Sequence, residues 1–244
     1  MSQIESDGSL INKIYEFLTN LKVVKYFTMI GLIIFAGAIC VGYIIAFIFG
    51  GTLQGPGTYS IFTNYISDMG SFNYTPMPFI LDFGCMITSF FLIPCLYYLE
   101  KRLNPLPQKE EDLKNMSRMK MRLGSIGFSF MVIALIAMFG VGLFSEDRTT
   151  IFDLHWTFTV VEFCGFAFTS FFYGLLMFFY SEKNLKILGL YMFITPMVMV
   201  NILFMFGFQP FHEWLMFYII LGWIIPLSII FLKEINKELR QISD

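Results

Sequence analysis

The chain has 244 residues, 57% of them apolar and only 14% charged, with a mean hydropathy of +0.69 and a formal net charge of −2. Soluble domains hold roughly 45–50% apolar and about 25% charged residues, so a soluble globular protein is excluded. No basic patch with interleaved aromatics is present, which excludes a nucleic-acid partner.

In chain order, Met1–Gly8 is polar and expected to be disordered. From Ser9, a candidate N-cap, Leu10, Ile14, Phe17, Leu18 and Leu21 recur at helical spacing with Asn12, Lys13, Glu16 and Asn20 between them. That pattern predicts a short amphipathic helix lying in the membrane interface. Segment 1–25 is therefore read as a tail plus interfacial helix, 26–232 as a six-helix transmembrane domain and 233–244 as a cytoplasmic tail. The spans fall at about 26–50, 78–99, 123–144, 151–180, 187–208 and 212–232, and about 20 apolar residues suffice to cross a bilayer as a helix. Pro94 should kink the inner end of the second span. Gly124, Gly127, Gly140 and Gly142 should let the third approach its neighbours closely.

With this topology, all but one of the 16 Lys and Arg residues fall on one side, the exception being Arg148. The positive-inside rule then places both termini in the cytoplasm. The fold class is all-α: a polytopic six-helix bundle. The four cysteines, Cys40, Cys85, Cys95 and Cys164, lie inside apolar runs and read as small core residues. Asn73-Tyr74-Thr75 is a glycosylation sequon, but Pro76 and the nearby membrane argue against its use.

Polar groups gather at the outer end of this topology. Ser67 and Asp68 lie in an outer loop without a single Lys or Arg, and Asp82 is about one turn into the second span. Glu146 and Asp147 follow the third span, Asp153 starts the fourth, and His212 and Glu213 open the sixth. His155 and Glu162 stand seven residues apart on one face of the fourth span, with Thr159 between them. Ionisable groups inside a span persist where they face the bundle interior or a wet cavity, which makes Glu162 the strongest candidate for a buried functional carboxylate.

Three readings compete. In the first, Asp82, His155 and His212 hold a divalent ion such as zinc, whose activated water would hydrolyse a lipid headgroup or acyl linkage; no His-Glu-x-x-His spacing supports it. Ser67, Asp68 and Glu162 are the catalytic candidates. In the second, these groups fix the outer loops: Asp68 or Ser67 caps a short helix, Asp153 sits at the positive N-terminal end of the fourth span and Glu213 at that of the sixth, and Arg148 pairs with Asp147, Asp153 or Asp68. In the third, Asp68, Asp82, Arg148, Asp153, His155, Glu162 and His212 line a cavity that binds an amine-bearing or zwitterionic lipid headgroup. Ser67 lacks a Gly-x-Ser-x-Gly elbow, and no span carries the polar stripe of a wet pore.

Three stretches carry a resemblance. Asn64-Tyr-Ile-Ser-Asp-Met-Gly-Ser71, followed by Pro78, is similar to the outer-loop signature of the Frag–DRAM–Sfk superfamily of six-span membrane proteins. Val141-Gly-Leu-Phe-Ser-Glu-Asp147, followed by His155, resembles a related prokaryotic family known only as a numbered domain of unknown function. Leu92-Ile-Pro-Cys-Leu-Tyr97 is the third. On this resemblance Ser67, Asp68, Gly70 and His155 fall on recurring positions, and no role is implied for Asp82, Glu162 or His212. Eukaryotic relatives are linked to lipid-anchor remodelling and to lysosome-associated autophagy regulation. A more distant likeness to membrane-embedded hydrolases built on Ser, Asp and three His ends at this chain's two histidines.

The sequence thus predicts an integral membrane protein that binds or senses membrane lipid through an outward-facing polar cavity, with a metal-dependent lipid hydrolase as the alternative. Its membrane is the cell membrane in a prokaryote and an endomembrane is open in a eukaryote. Whether it oligomerises stays open.

Overall fold

The bundle begins at Asn20. Its side-chain oxygen accepts from the N–H groups of Lys22 and Val23 at 3.0 and 3.4 Å, satisfying donors that a helix start leaves unpaired. This break separates α1 (Ser2–Leu18) from α2 (Leu21–Phe49). The computed structural model describes residues 2–105, 117–147, 150 and 152–243. Within them follow a short 3-10 turn (Ser67–Gly70), α3 (Phe79–Phe91), α4 (Ile93–Leu103), α5 (Arg118–Leu143), α6 (Leu154–Tyr180), α7 (Lys183–Phe206) and α8 (Pro210–Ser243). Six helical segments are long and apolar enough to cross a membrane, with α3 and α4 together making the second. The chain is a multi-pass integral membrane protein.

Two segments differ from expectation. Residues 2–8, read as disordered, are helical within α1. The residues from Lys233 to Ser243 continue α8 without a break. Pro94 behaves as its chemistry demands. It sits in the first turn of α4, where its missing N–H is not needed, and the second span is broken in two at Leu92.

Helices meet in the order α2, α3, α5, α6, α7, α8, and α8 returns to α2. The tightest contacts are α5 on α6 and α6 on α7. In the latter, Gly174 and Gly189 face each other, and a Cβ on Gly174 would lie 2.6 Å from the Phe193 nitrogen and 2.9 Å from the Gly189 oxygen. At Gly142 the backbone of α5 meets the carbonyl of Asp82 on α3. Small residues at such crossings let dispersion contacts and interhelical hydrogen bonds form. Ser170 Oγ donates to Met192 O at 2.9 Å, and Tyr191 OH to Ile219 O at 3.1 Å.

By contrast α8 stands off from α2 and α6, and large rings fill the gap. Trp214, Phe217, Trp223 and Phe231 are all buried, and Phe35 of α2 meets Phe217 edge-on with centroids 5.8 Å apart. The cysteines divide. Cys85 is buried, but Cys40 and Cys164 are exposed on the outside of the bundle, where hydrocarbon rather than core packs against them. Their reading as core residues is corrected: apolar runs in a six-helix ring face lipid as often as protein.

At one end of the bundle the loop 50–78 folds over the helix ends. Thr52 N donates to Phe72 O and Leu53 N to Asn73 O, both at 3.0 Å, so the loop closes on itself. The opposite end carries the basic residues and Arg102–Glu234, the one ion pair found among the described residues, at 3.1 Å. Between these ends, Gly174→Leu should lower stability by about 1–3 kcal/mol through overpacking against backbone. Gly55→Ala, with nothing within 4 Å of its Cβ, should be neutral. Thermal unfolding in one detergent checks both.

Candidate functional site

Two residues outside the set of candidate site residues hold the loop-covered end together: Asn64 and Glu213. Asn64 Nδ2 donates to Gln54 Oε1 at 2.6 Å and to Asp68 Oδ2 at 3.0 Å, while Asn64 O accepts from Trp214 Nε1 at 2.9 Å. Asp68, 4% exposed, also accepts from Tyr65 N at 3.0 Å. It therefore closes the turn before the 3-10 helix from within and does not project into solvent. Burial raises the Asp68 carboxyl above the ordinary 3.8, and the bonds from Asn64 and Tyr65 oppose that rise. Tyr59, fully buried under the same turn, donates its hydroxyl to Tyr65 O at 2.6 Å; burial, then the charges of Asp68, Glu213 and Glu146, push its phenol up.

Glu213 lies in the first turn of α8 and is 2% exposed. Its Oε2 accepts from Ile66 N at 2.6 Å, across 147 positions of sequence. Glu213 stands at the N-terminal end of α8 as the sequence places it, and it also reaches out of the helix to pin the loop. Asp153 likewise stands at the N-terminal end of α6. It sits exposed in a left-handed conformation, φ 44°, with no side-chain cap bond. Thr150 Oγ1 takes that place, accepting from Leu154 N at 2.7 Å.

Asp147 clamps the far side of the loop, accepting from Ser71 Oγ at 2.6 Å and Phe72 N at 2.7 Å, and Ser145 Oγ donates to Gly70 O at 2.7 Å. Glu146 beside it keeps much of its surface open to solvent, although protein atoms crowd its carboxyl. That burial first, then the charges of Asp68, Asp147, Asp153 and Asp82, raises it from 4.5 to about 7. Asp82 itself lies against the turn, where a Cβ on Gly70 would be 3.1 Å from its Oδ1.

Beneath the pinned loop is a cavity of about 40 Å³. Ile66 and Ser67 line its roof; Phe35 and Ile39 of α2, Leu81 and Cys85 of α3, Val141 of α5, Thr159 and Glu162 of α6, and Glu213 and Phe217 of α8 form its walls. Every span except α7 contributes, and no Lys or Arg is among the lining residues. A second small cavity, also about 40 Å³, shares Phe35, Glu162, Phe163 and Phe217 and continues toward the bundle centre among Leu92, Met138 and Ile224. Glu162 is half-buried and faces both spaces. Glu213, Asn64 and Asp68 turn their polar atoms into the loop that covers this end.

The structure brings Ser67, Glu162 and Glu213 together and leaves the other candidates apart. His155, 6% exposed, holds Phe144 O at 2.7 Å through Nδ1, so that nitrogen carries the proton; its buried Nε2 has no partner among the described residues. His212 Nδ1 engages Gly207 O at 2.7 Å beside the rings of Phe206 and Phe211. Among the described residues no three His, Cys, Asp or Glu side chains are placed to hold a metal ion, so Asp82, His155 and His212 do not form the zinc set. Arg148 lies outside the described residues.

Residues 23–233 match the Frag1/DRAM/Sfk1/Cwh43P N-terminal domain. The chain belongs to that family. The match starts in the first turn of α2 and ends within α8, so the family domain is the whole bundle without α1. It gives no support to the prokaryotic family resembled by Val141–Asp147. No curated protein and no solved structure matches the chain.

The family assignment adds no role for Glu213, and sequence reasoning missed its part. The available signal was its neighbour: an acid followed by Trp214 at the start of a span, facing a loop of 27 residues from Gly51 to Met77 that holds no cation.

Two outcomes follow from this geometry. Asp147→Ala removes two loop bonds, both to a charged acceptor, and should cost about 1–3 kcal/mol locally; amide exchange over 67–73 should speed while exchange in α5 and α6 does not. An acid raised when folded favours the fold below its ordinary pKa and loses that advantage as pH rises through the raised value. Between pH 4.5 and about 7 the protein should therefore lose thermal stability, and Glu146→Gln should flatten that slope.

Proposed function

We propose that this family member binds a membrane lipid carrying a primary amine, whose ammonium group enters the cavity beneath the loop. The observation behind this reading is that two carboxylates, Glu162 and Glu213, face one internal space that contains no basic residue. Placing one positive charge between them offsets the desolvation of both, which two acids left alone cannot do.

Size and donor chemistry narrow the choice. About 40 Å³ holds roughly three water-sized groups at 10–15 Å³ each. A primary ammonium brings N–H donors for Glu162, Glu213 and the Ser67 hydroxyl. A trimethylammonium is bulkier and brings none. The hydrolase reading has Ser67 in the cavity but neither histidine in its lining, which leaves it only the carboxylates of Glu162 and Glu213 as bases there. In this reading both termini are cytoplasmic and α1 lies in the interface, with the exposed Leu10, Ile11, Ile14 and Phe17 toward lipid.

The test is lipid analysis of full-length protein extracted from vesicles of equal phosphatidylethanolamine, phosphatidylcholine and phosphatidylglycerol. Phosphatidylethanolamine should be enriched about tenfold, the ratio that about 1.4 kcal/mol gives. Glu162→Gln and Glu213→Gln, which keep size and an acceptor oxygen, should each remove the enrichment. Equal recovery of the three lipids by the wild type overturns the proposal.

A further inference from the structure

Among the described residues, grooves run along the outside of the bundle. One of about 350 Å³ lies at the α3–α4 break against α5, lined by Phe90, Ile93 and Phe139 among others. A second, about 340 Å³, runs between α6 and α7 past Cys164 and Asn201. The third, about 450 Å³, lies between α2 and α8, lined by Ile39, Cys40, Tyr43, Ile44, Ile61, Trp214 and Tyr218. All fall within the roughly 300–1,000 Å³ of ligand pockets, so volume alone does not choose.

Continuity does. Ile39 lines both the α2–α8 groove and the carboxylate cavity, and neither of the other grooves shares a residue with that cavity. Across the same boundary on α8, Trp214 lies in the groove and Glu213 in the cavity, one residue apart. The loop side is closed by the Glu213–Ile66 and Trp214–Asn64 bonds. On the membrane side, α2 and α8 are separated by side chains, Phe35 against Phe217 and Tyr43 against Trp214 with centroids 6.0 Å apart. Rotamers of such side chains move far more readily than a hydrogen-bonded loop.

The groove also has the chemistry of a lipid's upper chain. Its floor is aliphatic, while Tyr43 and Tyr218 add phenol hydroxyls at the level of the loop, where rings with one polar end settle between hydrocarbon and headgroups. We infer that the α2–α8 groove seats an acyl chain of the amine-bearing lipid and is the lateral door by which its headgroup reaches Glu162 and Glu213 past Ile39. This inference rests on the binding reading above and adds the route and the second half of the ligand.

The experiment uses the full chain in phosphatidylcholine vesicles containing a small fraction of phosphatidylethanolamine with a photoreactive diazirine in its acyl chain. After irradiation and digestion, adducts should concentrate on peptides spanning Ile39–Ile44 and Trp214–Tyr218. Unlabelled phosphatidylethanolamine should compete them away. Cys40→Trp fills the groove from an exposed position and should lower those adducts about tenfold. Cys164→Trp, filling the α6–α7 groove in the same way, should leave them unchanged.

Adducts spread equally over the three grooves, or concentrated at Phe90–Phe139 or Cys164–Asn201, overturn the route even when amine lipid is enriched on extraction. Adducts at the α2–α8 groove that Cys40→Trp does not reduce overturn it as well. Loss of enrichment itself would instead strike the binding reading, so the two failures are read separately.

Discussion

The hydrogen bond from Ile66 N to Glu213 holds the loop-covered end together. It joins the loop between the first two spans to the start of the last one, so the loop cannot form its final shape until α8 has packed. Without that carboxylate, a buried N–H would lose its partner, an imbalance worth about 1–3 kcal/mol. Trp214 adds a second link one residue later, and Asn64, which receives it, also organises Gln54 and Asp68. The small cavity exists because this network suspends Ile66 and Ser67 above Glu162, where aliphatic side chains alone would collapse into the space.

The same network explains why most acids here are structural and two are different. Asp68 and Asp147 spend their oxygens on loop donors, and Asp153 lies exposed at a turn. Glu162 makes no such bond among the described residues and lines both internal spaces. Glu213 is divided: one oxygen serves the loop while the residue as a whole borders the cavity. A site that uses the carboxylate closing its own roof links occupancy of the cavity to the position of the loop.

Much of this was legible in the sequence, for physical reasons that can be named. Span positions follow from runs of about 20 apolar residues, because a single segment of that length satisfies its own backbone in a bilayer only as a helix. Pro94 marked the break at Leu92, and Glu162 stood out because a carboxylate that deep must face inward. Partner identity was not legible. That Glu213 crosses to Ile66 depends on where a loop 147 residues away comes to rest, and that Thr150 rather than Asp153 bonds the first turn of α6 depends on a backbone angle that periodicity does not encode. Histidines 155 and 212 invite a metal reading as types, yet each spends Nδ1 on a nearby carbonyl, of Phe144 and Gly207.

α8 is one helix of 34 residues, close to 51 Å long at 1.5 Å per residue. One end carries Glu213 and the other Glu234, bonded to Arg102 on α4. Such a rod acts as a lever: tilting its loop end swings its basic end, unless Pro226 bends and absorbs the motion. The Arg102–Glu234 pair is partly exposed and resists such a swing only weakly. The stiffness of the α8 segment around Pro226 therefore sets whether an event at one membrane surface is felt at the other.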